Sequence, residues 1–156
     1  MRRRRAQKRD VLPDPRFNNK NISKFVNMVM WCGKKATAER SVYNALEKAT
    51  AKVPEKDALK LFQKALDNVR PLLELKPRRV GGATYQVPIE VRSDRGISIA
   101  MRWIRNAARV KKGQPIEDKL AEEFVAAFKG EGAAMKKREE THKMAEANKA
   151  FAHFRW

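Results

Sequence analysis

Between residues 73 and 91 the apolar pattern of this chain changes from a helical period to strict alternation and then changes back. That interruption constrains the architecture more than any other feature. Leu73 and Leu75 alternate with Glu74 and Lys76; after Gly81-Gly82, Tyr85, Val87, Ile89 and Val91 alternate with Gln86, Pro88 and Glu90. Successive side chains of a strand face opposite ways, so this is a β-hairpin over about residues 72–92, turned at the glycine pair. Pro77 and Pro88 cannot donate to a ladder on both sides and fit a ribbon with open edges. A lone hairpin is marginal in water, so its base must lean on the rest of the chain.

The flanking sequence is helical. Ile22, Phe25, Val26 and Val29 form one stripe, stopped at Gly33; Ala38, Val42, Ala45, Leu46, Ala49 and Val53 form a second, closed by Pro54. Ala58, Leu61, Phe62, Ala65, Leu66 and Val69 run to Pro71, and Ile97, Ala100, Met101, Ile104, Ala107 and Ala108 run toward Gly113. Pro115 opens a fifth helix with Glu117 and Asp118 in its first turn, where the helix dipole favours acids. Gly130 and Gly132 separate it from a sixth over about residues 133–148, so thin in apolar residues that it should project or be held from outside the fold. The expected fold is mainly α: one helical domain over residues 18–148 with a protruding hairpin. A basic extended arm precedes it at 1–17, where Pro13 and Pro15 hold residues 12–17 extended, and a tail follows at 149–156. No repeat period suggests a solenoid.

Charge indicates the partner. Thirty-six Lys and Arg against 18 acids give a net charge of +18. Such a chain repels itself when compact and seeks a polyanion, with nucleic acid the leading choice and an anionic membrane surface second. No segment approaches the ~20 apolar residues of a membrane helix, and Asp10, Pro13 and Asp14 break any signal-peptide pattern. Cys32 is the single cysteine, so an internal disulfide and a cysteine-based zinc site are both excluded; a reducing, intracellular setting follows, with Cys32 packed as a small apolar residue.

The basic residues form groups. Arg2, Arg3, Arg4, Arg5, Lys8 and Arg9 make an acid-free arm. Arg95, Arg102, Arg105, Arg109 and Lys112 recur beside the apolar stripe of the fourth helix, with Asp94 the only acid between Glu90 and Glu117. A solvated face would interleave both signs, so this one is read as phosphate-facing. Lys34 and Lys35 stand at the start of the second helix, where the dipole repels cations and nearby phosphate would explain them. Lys136, Lys137 and Arg138 open a mixed ladder on the sixth helix. Trp31, Trp103 and Tyr85 could stack on bases, although Trp103 adjoins the core stripe. His142 and Glu146 share a helix face without a third ligand, and 130–132 lacks the strand and Gly-Lys-Ser/Thr of a phosphate loop; no catalytic residue, metal or cofactor is indicated. A DNA-binding module would carry the same charge, but no helix-turn-helix spacing supports it.

Several blocks fall in one order: LPDPRF at 12–17, Gly33-Lys34-Lys35, Asn68-Val69-Arg70-Pro71, RRVGGATYQVP at 78–88, Ala100-Met101-Arg102-Trp103 and MAEANKAFAHFRW at the end. Over essentially its full length the chain resembles the bacterial small-subunit ribosomal protein seven family. It departs from that pattern after Val91-Arg92, where Ser93-Asp94-Arg95-Gly96 replaces a more continuous basic stretch, so no phosphate contact is assigned to 94 or 96. The resemblance implies a primary 16S rRNA binder that nucleates assembly of the subunit head, in the cytoplasmic ribosome, at the subunit interface near exit-site tRNA and the mRNA path. It implies ribosomal proteins nine and eleven as neighbours, with no membrane, no homo-oligomer and no enzymatic activity. On this reading the arm, Lys34, Lys35, Lys76, Arg92, the fourth-helix cations and Lys136 to Arg138 contact rRNA. The hairpin tip, Arg78, Arg79, Gly81 and Gly82, lies nearest tRNA and mRNA.

The arm holds no apolar anchor. Deleting residues 1–9 is therefore expected to leave the thermal transition nearly unchanged while flattening the slope of log K against log salt for rRNA binding by ~2–3. Filter binding across a salt series checks this; an unchanged slope would mean that the arm is merely solvated.

Overall fold

Helix starts are set locally. Asn19 Oδ1 accepts hydrogen bonds from the amides of Asn21 (2.8 Å) and Ile22 (3.4 Å), opening α1 (Lys20–Val29). Asp57 does the same for Leu59 (2.9 Å) and Lys60 (3.5 Å) at the head of α3 (Ala58–Val69). Between them runs α2 (Lys35–Ala51), and after the hairpin come α4 (Ser93–Val110), α5 (Ile116–Lys129) and α6 (Ala133–Ala147). These elements come from a computed structural model describing residues 6, 7 and 9–154, so Arg2, Arg3, Arg4, Arg5 and Lys8 of the arm lie outside the described residues.

The predicted stripes converge on one core. α5 packs against α2, α3 and α4, and α1 against α2 and α4. At the centre Phe25 of α1, Phe62 of α3 and Phe124 of α5, all fully buried, form an aromatic triangle with ring centroids 5.5–5.7 Å apart in tilted and edge-on arrangements. Around it lie Val42, Leu46, Leu61, Met101, Ile104 and Leu120, each buried. Polar ties hold the rim. Lys48 of α2 bridges Glu117 (3.0 Å) and Asp118 (2.6 Å), and Asn44 donates to Glu117 (2.8 Å), so the acids expected to serve the α5 dipole also fasten α5 to α2. Asn68 donates to the carbonyls of Ala127 (2.9 Å) and Phe128 (3.1 Å) at the other end of α5.

The hairpin pairs β1 (Leu73–Val80) antiparallel with β2 (Ala83–Glu90), in register from Leu73↔Glu90 to Val80↔Ala83. The two-residue turn needs left-handed backbone at both positions, and Gly81 (φ +57°) and Gly82 (φ +90°) supply it without side-chain strain. The ribbon is clasped from both sides, at its base by α6 and nearer its tip by the C-terminal turn. α6 lies on β1, while a 3-10 turn (Lys149–Phe154) covers β2 with Phe151 and Phe154 4.9 and 5.4 Å from the Tyr85 ring.

Three expectations change. The sixth helix neither projects nor waits for an outside partner: Ala134, Met135 and Ala145 are buried against the body, a narrow stripe of small residues sufficing because the helix lies close to its neighbours. Residues 15–17 turn rather than extend. Asp14, buried between the two prolines, accepts from the amides of Arg16 and Phe17 (both 3.1 Å) and from the Tyr43 hydroxyl (2.6 Å), and the Asn18 amide closes the turn onto Asp14 O (2.8 Å). Burial and the Asp14 carboxylate together push the Tyr43 hydroxyl pKa well up. Finally, Cys32 is exposed, in the left-handed region (φ +50°), in the turn where α1 hands over to α2 rather than in the core.

His142 of α6 joins the clasp, its Nε2 accepting the Leu72 amide at 3.1 Å. Only the unprotonated nitrogen can accept, and partial burial, then the nearby Arg138 charge, hold the imidazole below its ordinary pKa. The folded state thus binds the proton less readily than the unfolded chain. Its contribution is complete above about pH 6.5 and is lost as pH falls through the lowered folded value. The protection factor of the Leu72 amide, its exchange rate corrected for the intrinsic pH dependence, is expected to fall in excess of that of its neighbours between pH 7.5 and 5. A His142→Phe variant should show no such excess, and an equal excess there would clear His142 of the role.

Candidate nucleic-acid interface

The last carbonyls of α1 have no partner within their own helix and face the side of α4. Arg105 Nη1 donates to Met28 O (3.4 Å) and Arg109 Nη2 to Val29 O (3.2 Å), placing cations where the dipole of α1 is negative. Arg102 is exposed on the same side, one turn back. Among the described residues no carboxylate lies within ion-pair distance of these three guanidinium groups. Their mutual repulsion is visible at Arg105, whose pKa is lowered first by partial burial and then by Arg109 and Arg102.

Several cations elsewhere are compensated. Arg16 pairs with Glu47, Lys48 with Glu117 and Asp118, and Lys111 with Glu122 (3.0 Å) and buried Glu123 (3.0 Å). Most ion pairs among the described residues tie one element to another, and none falls on the Arg102, Arg105 and Arg109 row.

The turn from α1 to α2 completes that corner. Trp31 is 71% exposed and carries the Arg109 guanidinium over its ring at 5.4 Å. Lys34 stands at the N-cap of α2 with no side-chain cap bond, and a cleft of about 220 Å³ runs between Trp31, Lys34, Arg105 and Arg109 over a floor that includes Val29 and Leu120. The structure therefore unites residues predicted from two separate segments, Lys34 from the start of α2 and Arg105 and Arg109 from α4. Lys35, the first residue of α2, is outside the cleft and within 3.5 Å of Glu39.

Other predicted contacts sit apart. Arg95 holds Glu74 of β1 at 2.8 Å and so ties the hairpin base to α4, while Lys76 meets the same carboxylate at 3.3 Å from within β1. Arg92 is exposed at the N-cap of α4, and Lys112 is exposed beyond the helix end. Lys136 is exposed, Lys137 pairs with Glu140 (3.1 Å), and Arg138 turns inward to donate to Asn68 O. Arg9 is exposed. At the tip Arg79, Gly81 and Gly82 are exposed, while Arg78 is half-buried opposite Tyr85. One residue, Arg16, is not indicated by the sequence. Arg16 lies 5.5 and 5.4 Å from the Phe17 and Tyr43 ring centroids, fixing the start of the body, and the nearest signal is the Asp-Pro turn immediately before. Asp94 and Gly96, where the family's basic stretch is broken, have structural work. Asp94 sits in the first turn of α4, and Gly96 is buried where a Cβ would meet Arg70 Cγ at 2.8 Å.

Comparison with known proteins extends this picture to the whole chain. The family model described as ribosomal protein S7p/S5e matches residues 1–149. Small ribosomal subunit protein uS7 of Thermotoga maritima is 56% identical over 156 residues, all of both chains, and that of Thermosipho africanus 58% over the same span. The protein of that name from Francisella philomiragia is 57% identical over 155 residues, 99% of each chain. With a matching family model and full-length relatives converging on a protein whose surface is built around uncompensated cations, the chain belongs to the ribosomal protein S7p/S5e family, structural constituents of the small ribosomal subunit and not enzymes.

Proposed function

We propose that this chain is a primary binder of 16S rRNA whose docking nucleates assembly of the subunit head in the cytoplasmic ribosome. It sits at the subunit interface near exit-site tRNA and the mRNA path, beside ribosomal proteins nine and eleven. The observation that carries this reading is the acid-free row of Arg102, Arg105 and Arg109, which shares one corner of the body with Lys34. Guanidinium groups at fixed spacing on a rigid scaffold can meet several phosphates of a folded RNA at once, fixing register without reading bases. Neutralising close-packed backbones stabilises an RNA fold that would otherwise repel itself. Arg79, Lys112, Lys136 and the arm add further phosphate contacts, whereas Arg95, Lys76 and Arg138 act through the scaffold.

Chemical footprinting on naked small-subunit rRNA tests the proposal. The protein should protect one contiguous region before any other protein is added, and omitting it should block later binding of the head proteins. Protection that arises only after other proteins have bound would remove the primary role.

The hairpin tip should separate from this assembly role. The register requires a symmetric cut: replacing residues 79–84 with Asn-Gly leaves Arg78↔Tyr85 as the closing pair and the Phe151 and Phe154 contacts intact. Head assembly is expected to proceed almost normally, with tRNA retention at the exit site or reading-frame fidelity altered on the mutant ribosomes. Failed assembly would make the tip an rRNA anchor.

A further inference from the structure

Among the described residues Trp31 is the most anomalous side chain on the surface. Indole rings are mostly buried, yet this one is 71% exposed in a turn whose backbone is fixed by the Lys34 amide bonding to Trp31 O (3.0 Å) and by Cys32 at φ +50°. Arg109 covers one ring face at 5.4 Å, and that exposure leaves much of the other open. Beneath lies the cleft of about 220 Å³, apolar on its floor and rimmed by Lys34, Arg105 and Arg109, with no carboxylate among its lining residues. An exposed aromatic plane beside an apolar slot and three cations has the two parts of a single-stranded nucleotide site: a surface for a base and donors for its phosphates. A protein partner would have to bring acidic side chains and an apolar knob together; an unpaired nucleotide already joins a flat apolar base to an anion.

We propose that Trp31, backed by Arg109 and opening on the cleft edged by Lys34 and Arg105, is a stacking shelf for one unpaired nucleobase of the bound RNA. The site is sequence-tolerant, because every base has a π face, and it selects single-stranded over duplex RNA, because a paired base cannot reach the slot. It adds to the phosphate contacts a grip that salt does not screen. This inference rests on the RNA-binding reading above.

The test uses the full chain with short single-stranded oligoadenylate and, separately, duplex RNA. Single-stranded binding should quench tryptophan fluorescence. In a Trp156→Phe background, where Trp103 is the one other tryptophan and is half-buried against the core, the quench should be much reduced in Trp31→Phe. Trp31→Ala should bind oligoadenylate roughly 5- to 100-fold more weakly with an unchanged salt slope, while Trp31→Phe retains most of the affinity. Both variants should keep the wild-type thermal midpoint, since the ring is largely outside the core. Unchanged affinity in Trp31→Ala, or an equal quench in Trp31→Phe, overturns the shelf while leaving RNA binding in place. Equal loss on duplex and single strand overturns it too, making Trp31 part of a phosphate contact. If wild-type protein binds neither probe even at low salt, the RNA-binding reading fails and the shelf with it.

Discussion

Replacing Arg102, Arg105 and Arg109 together with glutamine is expected to weaken rRNA binding about 100-fold at physiological salt and to flatten the salt dependence by ~2–3 in slope. The magnitude follows from counterion release. Each lost phosphate contact removes ~0.7–0.9 from the slope, and three such contacts, carried from molar salt down to about 0.15 M, amount to about two decades. Glutamine keeps helix propensity close to that of arginine, so α4 should still form. The cost to the fold should stay at ~1–2 kcal/mol, because Arg105 and Arg109 also satisfy the Met28 and Val29 carbonyls at the end of α1. Urea titration and filter binding on the same preparations separate the two effects. Retained affinity per folded molecule, together with a large loss of stability, would make the row an α1–α4 clasp and nothing more.

The largest effect on folding should come from Phe124→Ala. The ring is fully buried and touches both Phe25 and Phe62, at 5.5 and 5.7 Å between centroids, on the helix that contacts α2, α3 and α4. Truncating it removes one corner of the triangle and leaves a cavity that three helices cannot close without moving. The expected loss is ~3–5 kcal/mol. Against a total of ~5–15 kcal/mol that would leave the body marginal at physiological temperature. The denaturation midpoint should fall, with rRNA affinity falling only as the folded fraction does. A loss below about 1 kcal/mol would mean that the core repacks readily and that the rigidity invoked for phosphate spacing is absent.

Most of the scaffold was legible because it depends on local rules. Ile22 to Val29, Ala58 to Val69 and the α4 stripe each repeat with helical spacing over at least two turns, and the hairpin announced itself by a change of period and a glycine pair that only a two-residue turn requires. What was not legible depends on who meets whom. α6 has too little apolar surface to show a face in sequence, yet small residues at Ala134 and Ala145 are what close approach needs. Asp14 looked like part of an arm, since nothing nearby reveals that the Tyr43 hydroxyl lies above it. The same divide runs through the site. A row of arginines on one helix could be read off as phosphate-facing. That Arg95 is occupied by Glu74 and Arg138 by Asn68, while Arg105 and Arg109 converge with Lys34 and Trp31, follows only from the packing. The family blocks divide likewise. Asn68-Val69-Arg70-Pro71 serves the scaffold: Asn68 ties the end of α5 and Val69 is buried. Gly33-Lys34-Lys35 adjoins the open corner.

If a rigid helical body presents fixed cations to RNA phosphates, competition binding should show it. Small-subunit rRNA and an equal phosphate concentration of duplex DNA should be titrated against wild-type protein across a salt series. Tight rRNA binding is expected, with a steep salt slope that is shallower by ~2–3 in the Arg102, Arg105, Arg109 variant, and displacement from rRNA by duplex DNA only in large excess. Equal affinity for both polymers, or a slope unmoved by the substitutions, would contradict it.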